Sequence, residues 1–483
     1  MSFKKLMPLA LVIFTSVVHA QVKNIYAYQD LSRFYYEKQK DSLKKAWICP
    51  DAFKEKAAQK KYRELWDQRT TEVTGAIADN DYVHEREVYD YVDGILRQLV
   101  DGNRQLFPIR PLLFIDRSPA INAYASGGYV LSVNLGLITY STSREELALI
   151  IAHELSHNVL RHIENFMLLQ AELLSSDDYK KSMSSVLDSK YGRYTRLQKV
   201  YEGYSFSRSR HQRFKESEAD SMAVVMLKRC NIPFNARYFL RLDSSDKVLK
   251  QPLKHPLKEY FTTYRLPFED TWTQKRSKGL SSRAYSFTDT TSLEDSLKTH
   301  PDCEVRYART KALSTAAPRW TPIPASVMEK ANKMLIWNMF TSGESLTSCL
   351  YRVLLIKDKG SNDPWYDFMI SNIFSGLYYA DRELARFNAI GVLQKEYISK
   401  DYYALQTMLE QIPRDELKQY CQTMQGSPFW QNLPPAEKDL RTLLQTLALD
   451  PDNSDKNKAR AAHAFASANT NSMYYEFAKN FDK

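Results

Sequence analysis

Apolar residues recur along most of this chain at the three- and four-residue spacing of helices. Residues 83–100 are a clear case, and the positions that share one helical face there are Val88, Val92, Ile95, Leu96 and Leu99. Residues 21–75 are polar, charged and aromatic, and they are predicted to form an N-terminal helical segment. From residue 325 to residue 483 the pattern predicts paired helices and hence a helical C-terminal domain. A helical repeat is one form of such a domain, although a period of about 34 residues does not fit it.

A strand-like pattern lies between these helical regions. Residues 110–118 are predicted to form one strand and Tyr129–Val133 another, with Gly127-Gly128 supplying a turn or bulge before the second. Ser143 and Glu146 then form the capping box of a helix that is predicted to run from about residue 144 into the 170s. The predicted fold class is therefore mostly α in an α+β arrangement, with a small β-sheet beside this helix.

The N-terminus has the pattern of a secretory signal peptide rather than of a membrane span. Lys4 and Lys5 precede an apolar run from Leu6 to Val18, which is short for a bilayer crossing. Small residues predict cleavage after Ala20, so residues 1–20 are expected to be removed and the chain to be periplasmic or otherwise exported. No later stretch is apolar over about eighteen residues, so no transmembrane segment is expected in the mature chain.

Charge and cysteine content narrow the classes of function. The formal net charge of +10 is spread along the chain, and no basic run carries interleaved aromatic residues, so nucleic acid is not an expected partner. The cysteines contain no CxxC pair, and the sequence does not indicate which of them would pair in an oxidising compartment. They are Cys49, Cys230, Cys303, Cys349 and Cys421.

The stretch "AHELSHNV" inside the predicted helix has the pattern of a zinc site. His153 and His157 are four residues apart, so both imidazoles lie on one helix face and can bind one ion. Glu154 lies next to the first ligand, where its carboxylate can accept a proton from an attacking water. The pattern predicts one Zn²⁺ per chain, with Glu154 as general base. The competing interpretation is that both histidines only pack on a buried helix face.

A hydrolytic zinc site usually has three protein ligands, so a third must come from elsewhere. His162 lies about 140° around the helix from the second histidine, which favours a structural or supporting role. The segment "ESEAD" offers Glu216 and Asp220 at helical spacing, and one of them can bind zinc while the other accepts a hydrogen bond from a histidine ligand. Glu218 faces the opposite side and is interpreted as a surface charge, and His211 is an outside candidate.

Three motifs in this order, "NAYASGGYVLSVNLGLI", "SREELALIIAHELSHNVLRH" and "ESEAD", together resemble peptidase family M48. The resemblance covers about residues 80–310 and implies a gluzincin-type zinc metallopeptidase domain, which we place at residues 76–315. It implies Glu216 as third zinc ligand and Asp220 as partner of a zinc-binding histidine. The polar segment between residues 166 and 210 lacks the apolar spans of the membrane-embedded members, so the soluble periplasmic branch is the closer match.

The same resemblance implies that the strand beside the two glycines borders the active-site cleft. The backbone from Tyr129 to Val133 would then pair with an extended substrate and add a strand to it. The residues assigned to this substrate strand are Gly127, Gly128, Tyr129, Val130 and Leu131. Members of the family usually carry proline before the glycines, where this chain has Ser126.

Soluble members of the family also carry a His-Pro motif followed by an arginine, and "THPDCEVRYA" matches it. The resemblance implies that His300 acts near the zinc, either by stabilising the oxyanion or by filling the open position. It implies that Arg306 positions His300 or the substrate. His255 competes for the role of His300 but has no arginine in register. An insertion near residues 245–295 is also expected.

The motifs and the signal peptide together predict a zinc endopeptidase of the bacterial cell envelope. By the resemblance, its substrates would be unfolded or misassembled envelope proteins, with outer-membrane or envelope assembly proteins as partners. The alternative is a chaperone or binding module in which the C-terminal domain, residues 325–483, captures a partner and proteolysis is minor. An exopeptidase is less favoured, because no group in the sequence marks the capture of a chain terminus.

Overall fold

The computed structural model describes residues 36–188, 192, 215–243, 245–274, 303–315, 320–342, 345–424 and 428–482, and the structural statements below concern these residues. They form a mostly helical molecule with one small β-sheet, which confirms the predicted fold class. The predicted signal peptide, residues 1–20, lies outside the described residues.

The elements of the first part of the chain surround the sheet. The helices before it are α1 (Glu37–Ala46), α2 (Lys56–Ala78) and α3 (Arg86–Asp101), with a 3-10 turn at Arg104–Leu106. The strands are β1 (Leu112–Asp116), β2 (Ala123–Gly127) and β3 (Val130–Asn134). The helices after it are α4 (Leu135–Tyr140), α5 (Arg144–Val159), α6 (His162–Ser175), α7 (Asp177–Leu187), α8 (described over 215–229), α9 (Arg237–Asp243), α10 (Leu257–Thr262) and α11 (Cys303–Thr310).

The rest of the described chain consists mainly of helices joined by short turns. Its helices are α12 (Ala325–Ser342), α13 (Leu346–Asp358), α14 (Pro364–Arg382), α15 (Arg386–Ile390), α16 (Lys400–Gln411), α17 (Arg414–Thr423), α18 (Pro435–Leu449), α19 (Asp455–Ala468) and α20 (Tyr475–Lys479). Within the described ranges, no helix is both long enough and apolar enough to cross a membrane.

The strands of the sheet lie in the order β1-β3-β2. The central strand, β3, pairs in parallel with β1 and antiparallel with β2. The expectation that Tyr129–Val133 pairs with a substrate strand is therefore wrong, because both edges of β3 are already occupied. The outer edge of β1 is also occupied, because the carbonyl oxygen of Ile115 accepts a hydrogen bond from the N–H of Val83 at 2.8 Å. Of the described strands, β2 is the one with an open edge.

The helix of the zinc motif, α5, begins as the sequence predicts but ends early. Ser143 Oγ accepts a hydrogen bond from Glu146 N at 3.2 Å, and Glu146 Oε2 accepts one from Thr142 N at 2.7 Å. The capping box thus forms with its return bond one residue upstream of the usual position. The predicted single helix is instead two, α5 and α6, because Arg161 adopts the left-handed conformation with φ of 54°. No glycine or proline marks this break in the sequence.

The buried apolar side chains form two cores. The first core joins α1 to α3, the sheet and most of the helices around it with the first half of α12, up to Leu335. The second core begins at Ile336 and joins the C-terminal helices with residues 253–272, which precede α11 in sequence. Since α12 packs into both cores, one rigid helix connects the region of the zinc motif with the C-terminal helices.

Candidate metal centre and active site

Three potential ligands converge where α5 faces α8. The Nε2 atoms of His153 and His157 are 3.1 Å apart, as expected for residues one helical turn apart. Glu216 on α8 places Oε2 3.2 Å from His153 Nε2 and Oε1 3.6 Å from His157 Nε2. One donor atom from each of the three residues lies within 4.8 Å of the others, so a single ion can contact all three.

The donor set suits a divalent metal. Two imidazoles and one carboxylate form a ligand set that leaves one position of a tetrahedral zinc site open. Glu216 Oε2 is buried and has no hydrogen-bond partner, although it points at the two histidines. A buried carboxylate oxygen without a partner is costly, and a cation at this position would satisfy it. When bound, zinc would supply a Lewis acid that acidifies water and polarises a carbonyl.

Asp220 and Arg306 form a buried hydrogen-bond network that contacts His153 through Nδ1, the ring nitrogen that does not face the other ligand candidates. This Nδ1 lies 2.9 Å from Asp220 Oδ1, which fixes the ring so that Nε2 faces the other ligands. Arg306 on α11 donates two hydrogen bonds to Asp220, from Nη2 to Oδ1 at 2.6 Å and from Nε to Oδ2 at 2.8 Å. The guanidinium of Arg306 also lies over the ring of Phe239, 4.3 Å from its centroid. Arg306 therefore holds Asp220, a contact that the sequence did not indicate.

His157 is supported by a different set of residues, which the spacing in the sequence indicates only in part. Its Nδ1 lies 3.0 Å from Nδ1 of His162, the first residue of α6. His162 is buried, and its Nε2 lies 3.5 Å from Glu218 Oε2 on α8. Glu218 was expected to be a surface charge, but the break after α5 turns His162 toward it. Glu218 is thus half-exposed and next to the site rather than on the far side of α8.

The general-base candidate, Glu154, is buried beside the sheet. Its Oε2 accepts a hydrogen bond from the N–H of Ala125 on β2 at 3.0 Å. Burial raises the pKa of Glu154 to about 7. A carboxyl with a pKa near the working pH can both accept and return a proton, as a general base in peptide hydrolysis must do.

The pKa values of the metal-free ligands are shifted in different directions. Burial lowers the pKa of His157 to about 3, so this ring is neutral at pH 7. Burial and Arg306 lower the pKa of His153, but the adjacent carboxylates of Asp220 and Glu216 outweigh them and raise it to about 9. Burial raises the pKa of Glu216, but its contacts with His153 bring it to about 2. A proton on His153 therefore competes with a metal ion for this site.

The open edge of β2 runs past Glu154. Asn134 N donates to Asn122 O at 3.1 Å, so the backbone groups of Asn122 face β3. Because backbone groups alternate along a strand, those of Ala123 and Ala125 face the open edge. The N–H of Ala125 that reaches Glu154 is on this side. On this edge the N–H of Ala125 is bonded to Glu154 and Ala123 is buried, so the carbonyl of the half-buried Ala125, and not the backbone of Val130 or Leu131, faces outward beside Glu154.

Of the remaining histidine candidates, the structure describes His255, which does not join the centre. His255 is exposed, lies 3.3 Å from Glu259 and has its ring 6.1 Å from that of Tyr260, which packs against the second core. His300 and His211 lie outside the described residues, so the proposed roles of these two stay predictions.

Comparison with known proteins also indicates a metallopeptidase. Residues 91–314 match the model of peptidase family M48. A protein of Vibrio cholerae serotype O1, named provisionally as a beta-barrel assembly-enhancing protease, is 25% identical over 186 residues. The match covers 37% of this chain and 38% of the relative, so the chain matches well under half of the relative's length. Residues 91–314, which contain the ligand candidates, Asp220 and Arg306, are therefore similar to peptidase family M48, a family of metallopeptidases.

Proposed function

We propose that this protein is a zinc-dependent endopeptidase that hydrolyses peptide bonds within extended protein segments. The observation that carries the proposal is the position of Glu154, which lies between a His-His-Glu donor set and the open edge of β2. A base beside three metal donors and a free strand edge is the arrangement that peptide hydrolysis needs.

In this proposal, His153, His157 and Glu216 hold one Zn²⁺. Glu154 accepts the proton of the attacking water and then donates it to the departing amine, a double role that its raised pKa supports. Asp220 and Arg306 keep His153 in one orientation, and His162 does the same for His157. The chain's own residues thus supply the ligands, their orientation and the proton transfer.

The substrate would bind as an added strand on β2. The N–H of Ala125 binds Glu154 and Ala123 is buried, but the carbonyl of Ala125 lies on the unpaired edge of β2, so an extended segment can form a main-chain hydrogen bond there without a particular sequence. Backbone recognition of this kind favours unfolded segments, because folded proteins have already paired their own backbones. It supports unfolded or misassembled proteins as the substrate class.

We place this activity in the bacterial periplasm. The predicted signal peptide, residues 1–20, supports export, and the Vibrio cholerae relative is named for the assembly of beta-barrels. Substrates or partners among outer-membrane assembly proteins follow from that name as a proposal only. The helical C-terminal region, residues 325–483, would dock them.

The test compares purified residues 21–483 with two variants. We expect about one zinc per chain and cleavage of casein, and Glu154→Gln should lower the cleavage rate by about 10²–10⁴-fold while it keeps its zinc. Glu172→Gln changes an exposed glutamate on α6 and should behave as wild type. Protein that binds no zinc, or equal cleavage by the Glu154→Gln variant, would exclude the proposal.

The role proposed for His300 is decided by a second variant. If His300 stabilises the oxyanion, His300→Ala should cleave casein more slowly than wild type. If His300 instead fills the open zinc position, the same variant should cleave faster. An unchanged rate would remove His300 from the mechanism.

The chaperone alternative is favoured by one observation, the separate buried core of the C-terminal helices. A region with its own core can bind a partner without help from the peptidase site. Complementation of a deletion strain separates the two functions. If Glu154→Gln restores growth fully and a chain lacking residues 345–483 does not, binding is the main function; if Glu154→Gln fails, proteolysis is.

A further inference from the structure

A buried arginine on the N-terminal helix α2 lies between two indole rings. The guanidinium carbon of Arg69 is 4.1 Å from the ring centroid of Trp47 and 4.0 Å from that of Trp66. Trp66 also donates a hydrogen bond from Nε1 to Trp47 O at 2.9 Å, which holds the two tryptophans together. All three residues precede residue 91, so this feature lies outside the part of the chain that matches peptidase family M48.

The arginine faces one carboxylate. Arg69 Nη1 lies 3.8 Å from Glu164 Oε1 on α6, and both side chains are 8% exposed. None of the guanidinium nitrogens of Arg69 makes a hydrogen bond within the described chain, and neither does Glu164 Oε2. The charge of Arg69 is therefore balanced by Glu164 and by the faces of two indoles, at a site where both charged side chains are largely buried.

The carboxylate in turn binds the end of the edge strand. Glu164 Oε1 accepts a hydrogen bond from the N–H of Gly128 at 2.7 Å. Gly127 and Gly128 have φ of 77° and 58°, and the following Tyr129 has φ of 61°. Three consecutive residues in this conformation form a tight turn that L-residues seldom adopt unaided, so the turn depends on contacts that hold it.

The packing around the turn leaves no room for movement toward the arginine. A Cβ at Gly127 would lie 2.9 Å from both Arg69 Nη1 and Glu164 Oε1, and one at Gly128 would lie 2.6 Å from Trp47 Nε1. We call Trp47, Trp66, Arg69 and Glu164 the arginine clamp. It contacts the turn directly, and the turn begins two residues after Ala125, whose N–H reaches Glu154.

We propose that the arginine clamp fixes the Gly127-Gly128 turn and thereby holds the edge strand β2 in the position that binds substrate. Arg69 is a positioning residue, which acts through Glu164 and the turn. The N-terminal helices, which the family domain does not include, thus take part in the active site. The effect on substrate rests on the proposed peptidase function, whereas the effect on the order of β2 does not.

The experiment uses the full mature chain, residues 21–483, and three variants. Arg69→Met removes the charge and keeps the length of the side chain. Glu164→Gln keeps an oxygen acceptor for Gly128 N–H, and the double variant of both leaves no unbalanced buried charge. Arg63→Met is the matched control, since Arg63 lies on the same helix but is 60% exposed.

Two readouts are measured on each variant. In Arg69→Met we expect amide hydrogen exchange of residues 123–128 to rise about tenfold, which corresponds to ~1.4 kcal/mol, while β1 exchanges as in wild type. We expect KM for an extended peptide to rise about tenfold, with kcat changed much less and the zinc content unchanged. If Arg69 and Glu164 act together, the double variant should show smaller changes in exchange and in KM than the sum of the two single variants. Purely additive changes would mean that the two residues act independently.

The outcomes separate this proposal from the peptidase proposal. Exchange over residues 123–128 that rises no more than exchange in β1, or an unchanged KM in a folded Arg69→Met protein, overturns the clamp. If Arg69→Met does not fold, Glu164→Gln decides by the same readouts, because its charge is lost while the hydrogen bond to Gly128 can remain. If wild type binds no zinc and cleaves nothing, the peptidase proposal fails, and hydrogen exchange alone then tests the clamp.

Discussion

At the scale of single residues, the two histidines of the zinc motif differ in what supports them. His153 is supported by the buried carboxylate of Asp220, which Arg306 binds through two hydrogen bonds. Behind His157 lies a second imidazole, His162, with a half-exposed Glu218 beyond it. The weaker and more exposed arrangement is the one behind His157, so the site should be more sensitive to small changes there.

We predict that His162→Phe weakens zinc binding by about 10–100-fold, because Nδ1 of His157 loses its partner while the volume at position 162 is kept. Competition with a chromogenic chelator measures this affinity. His84→Phe is the control, since His84 is equally buried in the same core but packs against Tyr89, outside the metal centre. Equal zinc affinity of the His162→Phe variant and wild type would show that His162 only fills space.

At the scale of elements, the position of the site depends on one turn and one helix break. The turn at Gly127-Gly128 ends β2 and directs the chain into β3. The break at Arg161 ends α5 and places His162 and Glu164 in the first turn of α6. One of these residues faces His157 and the other faces the turn, so the start of α6 supports both the metal centre and the edge strand.

We predict that Gly128→Ala destabilises the protein by about 1–3 kcal/mol, since an L-residue is strained at a φ of 58° and its Cβ would press on Trp47. Gly94→Ala is the matched control. Gly94 lies inside helix α3, where an added Cβ would meet open space, so alanine there should stabilise by about 0.5–1 kcal/mol. Urea unfolding of both variants checks the contrast, and a loss of stability in both would point to a general intolerance of added methyl groups.

At the scale of the whole molecule, the two cores share α12. The buried residues of α12 up to Leu335 pack into the first core and those from Ile336 onward into the second, and the partly buried Met339 packs against both. Arg352 on α13 also donates a hydrogen bond to Thr139 Oγ1 on α4 at 2.7 Å, which ties the C-terminal helices to the first core. The two cores should therefore unfold together.

A buried carboxyl in the second core should make stability depend on pH. Burial raises the pKa of Glu437 from 4.5 to about 7, and Tyr474 donates a hydrogen bond to it at 3.1 Å. The folded state then binds more protons than the unfolded chain between these two pH values, so stability should fall as pH rises through that window, by at most about 3 kcal/mol.

Glu437→Gln should remove this loss: the variant should be more stable than wild type at pH 8 and differ much less at pH 5. Glu396→Gln, at an exposed position, is the control and should follow wild type at both pH values. Denaturant unfolding at the two pH values measures the difference. A wild-type stability that does not fall between pH 5 and pH 8 relative to the Glu437→Gln variant would contradict the prediction.

Removal of the metal should affect the same unfolding transition. A ligand that binds only the folded state stabilises it by about 4 kcal/mol at a free concentration of about 1,000 times its Kd. We therefore expect EDTA to lower the Tm of wild type by several degrees and to leave the Tm of His153→Ala unchanged. If the cores unfold together, a calorimetric scan shows one transition that shifts as a whole; two transitions, of which EDTA moves one, would show that α12 does not couple them.

Much of the site could be predicted from the sequence because it depends on contacts between near neighbours. His153 and His157 share a face because a helix turns every 3.6 residues. Ser143 begins that helix because its side chain accepts the N–H of Glu146. The mostly helical fold follows in the same way from the spacing of apolar residues.

What the tertiary structure alone decided concerns residues far apart in the chain. The pairing of β3 with both β1 and β2 made β2 the edge strand, and no local pattern distinguishes a central strand from an edge in so short a sheet. The break at Arg161 carries no glycine or proline, and contacts of α6 with distant helices stabilise it. Arg306 and Asp220, 86 residues apart, meet because both side chains are buried, where a charge must be paired. The sequence by itself therefore indicated the candidate ligands and the candidate base, and the packing of distant segments decided the strand that faces them and the residues that hold them.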